Sequence, residues 1–447
     1  MKINILFTDL SYLYCNYGSQ AVALPLIEKL NEHFEMQSTF ALTWIFNEKN
    51  EFMAKKLNSN IVAVPHPLVM MGELVPLIKP IYKIFALMKK KQKTLKREEE
   101  KLVAFIKKLK ECDVVINLAG IEFVENPNPK KKWLNYINTV CPQYLAGRYK
   151  KLYLKNTKSY GPLNTVFYRF LVKRQLNKLP FVFVRIGENF NIIKKLGLKT
   201  TIYAVPDISI ALEPASREWA VNYLEKIGLD ISKPIIGLSP SSVIVDECAT
   251  VGGDKHTGGL KHVELCEKLI DFFQKDKKQI VILPHSIFNG KDSRVCDLGL
   301  SKKIYEKLEN KDGVYLISDM NLDYKQTKAM IGLFNFYIAG RYHAVSSALS
   351  MGVPVISLSW HMKYRDIMSL FLDDYLVIDC GKNSVENAMI MIKKYYQDQK
   401  WFNKKIVLEK KEVIVNEIEN KIIILMSEIE KSIAKKYLIN ITKKNDQ

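Results

Sequence analysis

The strongest constraint on this chain is a rhythm in its apolar residues. Short apolar runs recur at Ile3 to Phe7, Val114 to Leu118, Phe181 to Arg185, Ile235 to Ser239, Gln279 to Leu283, Phe336 to Ala339 and Val353 to Leu358. Several of them run into Gly, Pro or Asp, at Gly120, Pro206-Asp207, Pro240, Pro284 and Gly340. Runs of this length without a polar alternation read as strands covered on both faces. Segments of helical spacing lie between them, notably Ala21 to Leu30, Leu260 to Phe273 and Ala344 to Met351. Strands that alternate with helices need crossover connections, and these make a mainly parallel sheet. Thr39 to Ile45, Asn60 to Val64, Lys151 to Leu154, Ile202 to Val205 and Val314 to Ile317 are read as further strands.

The chain has 447 residues, 48% hydrophobic and 26% charged, which allows two separate cores and excludes wholesale disorder. The expected fold class is α/β, with two Rossmann-like domains in a GT-B-like arrangement and a helical C-terminal tail. An N-terminal domain is expected over 1–215 with a helical insertion at about 66–110. A second domain is expected over 216–380, and helices over 381–447.

The insertion carries Ile81, Ile84, Phe85 and Met88 at helical spacing, then Lys89 to Lys93, Lys96-Arg97 and Glu98 to Glu100. One reading is a basic amphipathic helix on an anionic membrane. The preferred reading is a helical excursion with a solvated charged face. The net charge of +20 favours anionic partners. A Lys-, Ile- and Asn-rich composition explains the charge equally well, and no nucleic-acid module accompanies it. The seven cysteines are odd in number and widely spaced, which argues against a disulfide framework or a zinc site and fits a reducing cytosol. Met1 to Phe7 reads as a strand rather than a signal peptide. The apolar stretch from Ile61 to Met88 is broken by Pro65, Pro67, Pro76 and Pro80, so no membrane-spanning helix is expected. The expected location is cytoplasmic, and peripheral contact at the inner face of a membrane stays open as an alternative.

The segment richest in chemistry is Gly340-Arg341-Tyr342-His343-Ala344, continuing to Gly352-Val353-Pro354. Arg341 and His343 stand where a strand gives way to a helix. Free backbone N–H groups and a guanidinium at such a point form an anion pocket. An imidazole there can donate to an anion or carry a proton near neutral pH. Read in isolation, Arg341 would pair with a surface carboxylate and His343 would be an ordinary helix-start residue.

The surrounding frame weighs against that. Arg341, His343, Ala348-Leu349, Gly352-Val353-Pro354, the apolar run to Leu358, and Lys363 resemble the C-terminal signature of the polysaccharide pyruvyl transferase family. Weaker likenesses precede it in order. Asn16-Tyr17-Gly18-Ser19-Gln20-Ala21 resembles the N-terminal Asn-x-Gly-Asp-x-Ala loop. Asp113 to Gly120 resembles the strand before a Gly-Gly turn. Val184-Arg185, Val205-Pro206-Asp207, and Pro284-His285 with Asp292 resemble mid-chain segments. The likeness spans roughly 3–375. This sequence departs from the pattern at Ser19, Ala119 and Ile186, positions that bear on the acceptor side.

The resemblance implies transfer of a pyruvyl group from phosphoenolpyruvate to a sugar of a surface polysaccharide or its precursor, closing a pyruvate ketal. It implies no cofactor and no metal, with phosphoenolpyruvate as co-substrate and a glycan or lipid-linked sugar as acceptor. A small trianion needs a strongly cationic pocket, for which Arg341, His343, His285 and Lys363 are the candidates. Arg341 would bind the phosphate or carboxylate, His343 would hold the phosphate or protonate the methylene carbon, and Asp292 or Asp207 would take the hydroxyl proton. Asn16, Gly18, Asp207 and Arg185 are the remaining substrate-binding candidates. Turn chemistry alone also accounts for Gly18, and Asp207 also fits a plain capping role. Gly252-Gly253 and Gly258-Gly259 around His256 suggest a lid or a surface turn. Trp44, Trp133 and Trp360 are candidates to stack on sugar rings. Two other readings stay open: a GT-B-type glycosyltransferase using a nucleotide sugar, and a scaffold protein of a glycan locus that has lost catalysis.

Overall fold

The computed structural model describes residues 2–10, 16–42, 61–65, 92–245, 257–287, 296–361 and 363–445. The chain divides into two compact units. Unit 1 holds Met1–Tyr14, Val22–Ile208 and Glu417–Gln447, and unit 2 holds Cys15–Ala21 and Ser209–Asn416. The sequence expectation had placed the division at residues 215 and 216, with the tail separate. In the structure the N-terminal Asn16-Tyr17-Gly18 segment belongs to unit 2, and the last helix contributes to both units.

Unit 1 is built on strands β1 (Lys2–Leu10), β2 (Glu35–Leu42), β3 (Ile61–Pro65), β4 (Val114–Asn117) and β6 (Leu152–Lys155). They form one parallel sheet in the order β3-β2-β1-β4-β6. Two short parallel pairs lie outside this sheet: β5 (Ile121–Glu122) with β7 (Ser159–Tyr160), and β8 (Phe181–Arg185) with β9 (Thr201–Val205). Helix α1 is Tyr17–His33 and α2 is Gln92–Glu111. Within the expected 66–110 insertion, residues 66–91 lie outside the described residues. The helix after them turns Phe105 and Leu109 into the unit 1 core, so its apolar stripe is structural. Helices α3 (Pro129–Arg148), α4 (Val166–Leu176) and α5 (Glu188–Lys194) complete this unit's helical cover together with the end of the last helix.

The longer segment of unit 2 carries α6 (Arg217–Lys226) and one six-stranded parallel sheet. Its strands are β10 (Ile235–Ser239), β11 (Gln279–Ile282), β12 (Val314–Leu316), β13 (Phe336–Ala339), β14 (Val355–Ser359) and β15 (Val377–Asp379). Their order, β12-β11-β10-β13-β14-β15, is the Rossmann order. Helices α7 (Thr257–Lys275), α8 (Asp297–Lys307), α9 (Tyr324–Ile331), α10 (Tyr342–Ser350), α11 (Lys363–Phe371) and α12 (Val385–Gln397) are the crossovers and cover. The core joins Ile236, Leu238, Ile280, Ile282, Ile338 and Ile356 from the sheet to Leu265, Leu269 and Phe273 of α7. The last helix, α13, is Lys404–Asn445.

In both sheets the strand order reverses at one place, between β1 and β4 in unit 1 and between β10 and β13 in unit 2. At such a point the loops from neighbouring strand ends run to opposite faces and leave a crevice beyond the carboxyl ends. Arg341 and His343 follow β13, and Asp9 and Asn117 stand at the ends of β1 and β4.

Candidate active site

The unit 2 site starts from a close approach of two strand ends. Ser239 pairs with Ala339 in register, and the Gly340 N–H donates to Ser239 O at 3.0 Å. A Cβ on Gly340 would lie 2.8 Å from Ser241 Cβ and 3.0 Å from Ser239 O, so only glycine fits. Arg341 follows as the extended N-cap of α10, without a side-chain cap bond. Its guanidinium turns to Asp297 instead. Nε donates to Oδ2 at 2.8 Å, and Nη2 donates to Oδ1 at 2.6 Å and to Ser242 Oγ at 3.2 Å. Asp297 is fully buried at the start of α8, and its Oδ1 also accepts from Ser242 N and Ser242 Oγ, each at 2.9 Å. One carboxylate thus ties the β10 loop, α8 and α10 together, and it compensates the arginine charge.

His343 lies in the first turn of α10, half-buried. Tyr342 and Tyr324 meet its ring edge-on at 5.2 and 6.5 Å, and Tyr324 Oη donates to its carbonyl at 3.1 Å. Tyr324 is held in turn by Ser347 Oγ, which donates to its Oη at 2.8 Å, and by Gln20 Oε1, which accepts from its N–H at 2.7 Å. A Cβ on Gly18 would fall 2.7 Å from His343 Nδ1. Gly18 therefore lets the backbone of the N-terminal segment lie directly against the imidazole, which exceeds what turn chemistry requires.

His285 is brought in by the same segment. Asn16 forms an antiparallel bridge with Ser286, Tyr17 N–H donates to His285 O at 3.3 Å, and the Tyr17 ring stands edge-on to the imidazole at 5.9 Å. His285 is 3% exposed, and among the described residues neither ring nitrogen has a hydrogen-bond partner. Burial first, then the nearby His343 and Arg341, lower its pKa to about 3. This corrects the expectation of a cationic His285: it is neutral near pH 7 and offers one donor and one acceptor. Lys363 opens α11, with its ammonium 4.9 Å from the Trp360 ring centroid and 5.6 Å from that of Tyr342. The adjacent Tyr364 Oη donates to Gly340 O at 3.1 Å.

Six expected residues, Asn16, Gly18, His285, Arg341, His343 and Lys363, thus sit on unit 2 elements that meet at the end of β13. Asp292 and His256 lie outside the described residues, as does Trp44. Arg185 and Asp207 belong to unit 1, where they pair with each other at 2.6 Å with the Asp207 side chain fully buried. The sequence reading missed Asp297, Ser242, Tyr324 and Gln20. Asp297 is 44 residues from Arg341, and nothing local marks it apart from any acid in a first helical turn.

Unit 1 carries a second polar constellation that the sequence reading also missed. Lys155 and Lys158 are fully buried on Glu122, at 2.5 and 3.0 Å. Lys158 Nζ also donates to Asn117 Oδ1. Asn117 Nδ2 donates to Asp9 Oδ2 at 2.6 Å and to Tyr153 Oη at 3.0 Å. Asp9 is half-buried with φ 60, a left-handed conformation that Asp tolerates better than most residues. Burial and then Glu122 push its carboxyl up to about 6, whereas burial lowers the Lys158 ammonium. Glu122 would rise on burial, but the two lysines outweigh this and hold it down. The available signal was positional: polar residues at the carboxyl ends of apolar strands.

Among the described residues no group of three His, Cys, Asp or Glu side chains could hold a metal ion. Nor is any described helix long and apolar enough to cross a membrane.

Solved structures similar to this chain share its fold at low identity. UDP-GlcNAc 2-epimerase from Neisseria meningitidis has a TM-score of 0.55 at 13% identity, covering 96% of this chain and 100% of that one. Sucrose-phosphate synthase from Thermosynechococcus elongatus gives 0.54 at 9%, covering 97% and 99%. TcCGT1 in complex with UDP gives 0.53 at 11%, covering 97% and 100%. The fold class is therefore α/β and GT-B-like. No curated protein sequence matches the chain. The family description that does match is polysaccharide pyruvyl transferase, over residues 16–362. That span holds both the Asn16–Gly18 segment and the Arg341–His343 helix start, and the chain belongs to the polysaccharide pyruvyl transferase family.

Proposed function

We propose that this protein transfers the pyruvyl group of phosphoenolpyruvate to a sugar of a surface polysaccharide or its lipid-linked precursor, forming a cyclic ketal. The observation that carries this reading is the meeting of His343, Arg341, neutral His285 and the Asn16–Gly18 backbone at the N-terminus of α10. An anion there is addressed by the first backbone N–H groups of α10, by Lys363 and by the part of the Arg341 guanidinium not engaged by Asp297. Asp297 fixes the guanidinium plane in advance, so little ordering remains for the donor to induce.

In the proposed reaction His343 gives a proton to the methylene carbon of the donor, and the adjacent carbon becomes electrophilic. One sugar hydroxyl adds there and loses its proton to a base. A second hydroxyl of the same sugar then displaces phosphate and loses its proton to the departing phosphate, and the ketal closes with both oxygens on that carbon. His285, held neutral, can donate to a developing charge on the donor without competing for its proton. The reaction needs no metal or cofactor, and we place it in the cytoplasm.

The test is donor choice. Phosphoenolpyruvate should raise the thermal midpoint of the protein, and UDP-GlcNAc should not. Phosphate release with glycan acceptors should disappear in His343→Ala while the protein stays folded. Stabilisation by UDP-GlcNAc alone would favour a nucleotide-sugar glycosyltransferase. Full turnover in both His343→Ala and Arg341→Ala would reject the site.

A further inference from the structure

From Asn126 to Gly187 the chain contains thirteen Lys or Arg and no Asp or Glu. Helices α3 and α4 both lie in this stretch. Their inner faces pack Tyr136, Tyr168, Val172 and Leu176 into the unit 1 core. Their outer faces leave Trp133, Leu134, Val166, Phe167 and Phe170 in solvent, with Val166 79% and Phe167 61% exposed. The exposed sets of the two helices meet at Trp133 and Phe167, whose rings stand edge-on at 6.2 Å. Lys130, Lys131, Lys173 and Arg174 of the same two helices make no ion pair among the described residues. Glu125, the nearest acid before the stretch, is buried and engaged by Thr165 and Lys132.

The exposed surface of one tryptophan, two phenylalanines and two aliphatic residues costs solubility unless something covers it. Protein partners favour patches whose cores are poor in lysine and whose rims carry both signs. Nucleic acid would use the cations and leave the valine and leucine idle. A bilayer interface uses both sets: aromatic and aliphatic side chains enter the headgroup–acyl boundary, and lysines and arginines meet anionic headgroups. We propose that the α3–α4 face docks the protein on an anionic lipid bilayer. This gives the peripheral membrane reading a different location from the 66–110 segment, and it does not depend on which donor is used.

The test is flotation of the full-length protein with phosphatidylcholine vesicles, alone or with about 30 mol% phosphatidylglycerol. The protein should float with the anionic vesicles at low salt, fall off as salt is raised, and stay behind with the neutral ones. Phe167→Ser with Phe170→Ser should abolish flotation. Lys131→Gln with Arg174→Gln should lower the partition constant about fivefold per charge, roughly 25-fold together. Both variants should keep the parent thermal midpoint and the parent response to phosphoenolpyruvate, whatever that response is. Absence of binding to anionic vesicles at low salt, or unchanged binding by the phenylalanine variant, overturns the proposal. So does a lipid-free dimer that Phe167→Ser dissociates, because the face would then belong to a second copy.

Discussion

Replacing Asp297 with alanine tests the architecture of the unit 2 site without touching a group proposed to meet substrate. The carboxylate is fully buried and accepts four hydrogen bonds, two from Ser242 at 2.9 Å and two from Arg341 at 2.6 and 2.8 Å. Removing one partner of a buried pair typically costs about 3–5 kcal/mol, because the other charge stays behind uncompensated. Arg341 keeps 20% of its side-chain surface exposed, so water screens part of that loss and about 2–4 kcal/mol is expected. The loss should fall locally on α8 and α10. Amide hydrogen exchange of those helices should speed up by roughly 30- to 1000-fold, with the unit 1 sheet unaffected. Asp373 is the control: it pairs with Lys410 at 3.3 Å but is fully exposed, so Asp373→Asn should leave exchange unchanged. Unchanged exchange in α8 and α10 of Asp297→Ala would mean that the guanidinium does not depend on Asp297, and the account of a pre-fixed Arg341 would fail.

Gly18→Ala should slightly favour helix α1 by propensity, yet its methyl would arrive 2.7 Å from His343 Nδ1. Turnover should therefore fall at least tenfold with the thermal midpoint kept, as read by phosphate release and calorimetry. His285 makes the fold acid-sensitive: its pKa is depressed to about 3, so the unfolded chain binds the extra proton between roughly pH 6.5 and 3 and stability declines as pH falls through that window. At pH 5 the loss from this group is about 2 kcal/mol relative to neutral pH, and urea titrations of His285→Gln should show a shallower pH slope than the parent. Glu122→Gln leaves two buried ammonium groups with a neutral partner, and a loss of about 3–5 kcal/mol should appear as accelerated exchange in β4 and β6.

Much of the fold was legible because a parallel strand buries both faces and so writes itself as an uninterrupted apolar run. The expected strands at Phe181 to Arg185, Ile235 to Ser239 and Phe336 to Ala339 coincide with β8, β10 and β13. The helix expected from Ala344 begins two residues earlier, which makes Arg341 the N-cap and puts His343 in the first turn. The contact between Gly18 and His343 was not legible, since residues so far apart in the chain leave no periodic trace of their meeting. The same holds for the partners of Arg341 and for the lysines under Glu122, which look like surface charges until the sheet covers them.

By itself the sequence determined the alternation of strand and helix, the two α/β units, and the Arg341-to-His343 helix start, because each rests on local spacing and backbone chemistry. Only the tertiary structure decided that Arg341 is compensated by Asp297, that His285 is neutral, and that Asp9 and Lys158 share a buried network. Charge state depends on which groups are desolvated together and at what distance, and chain order does not record that.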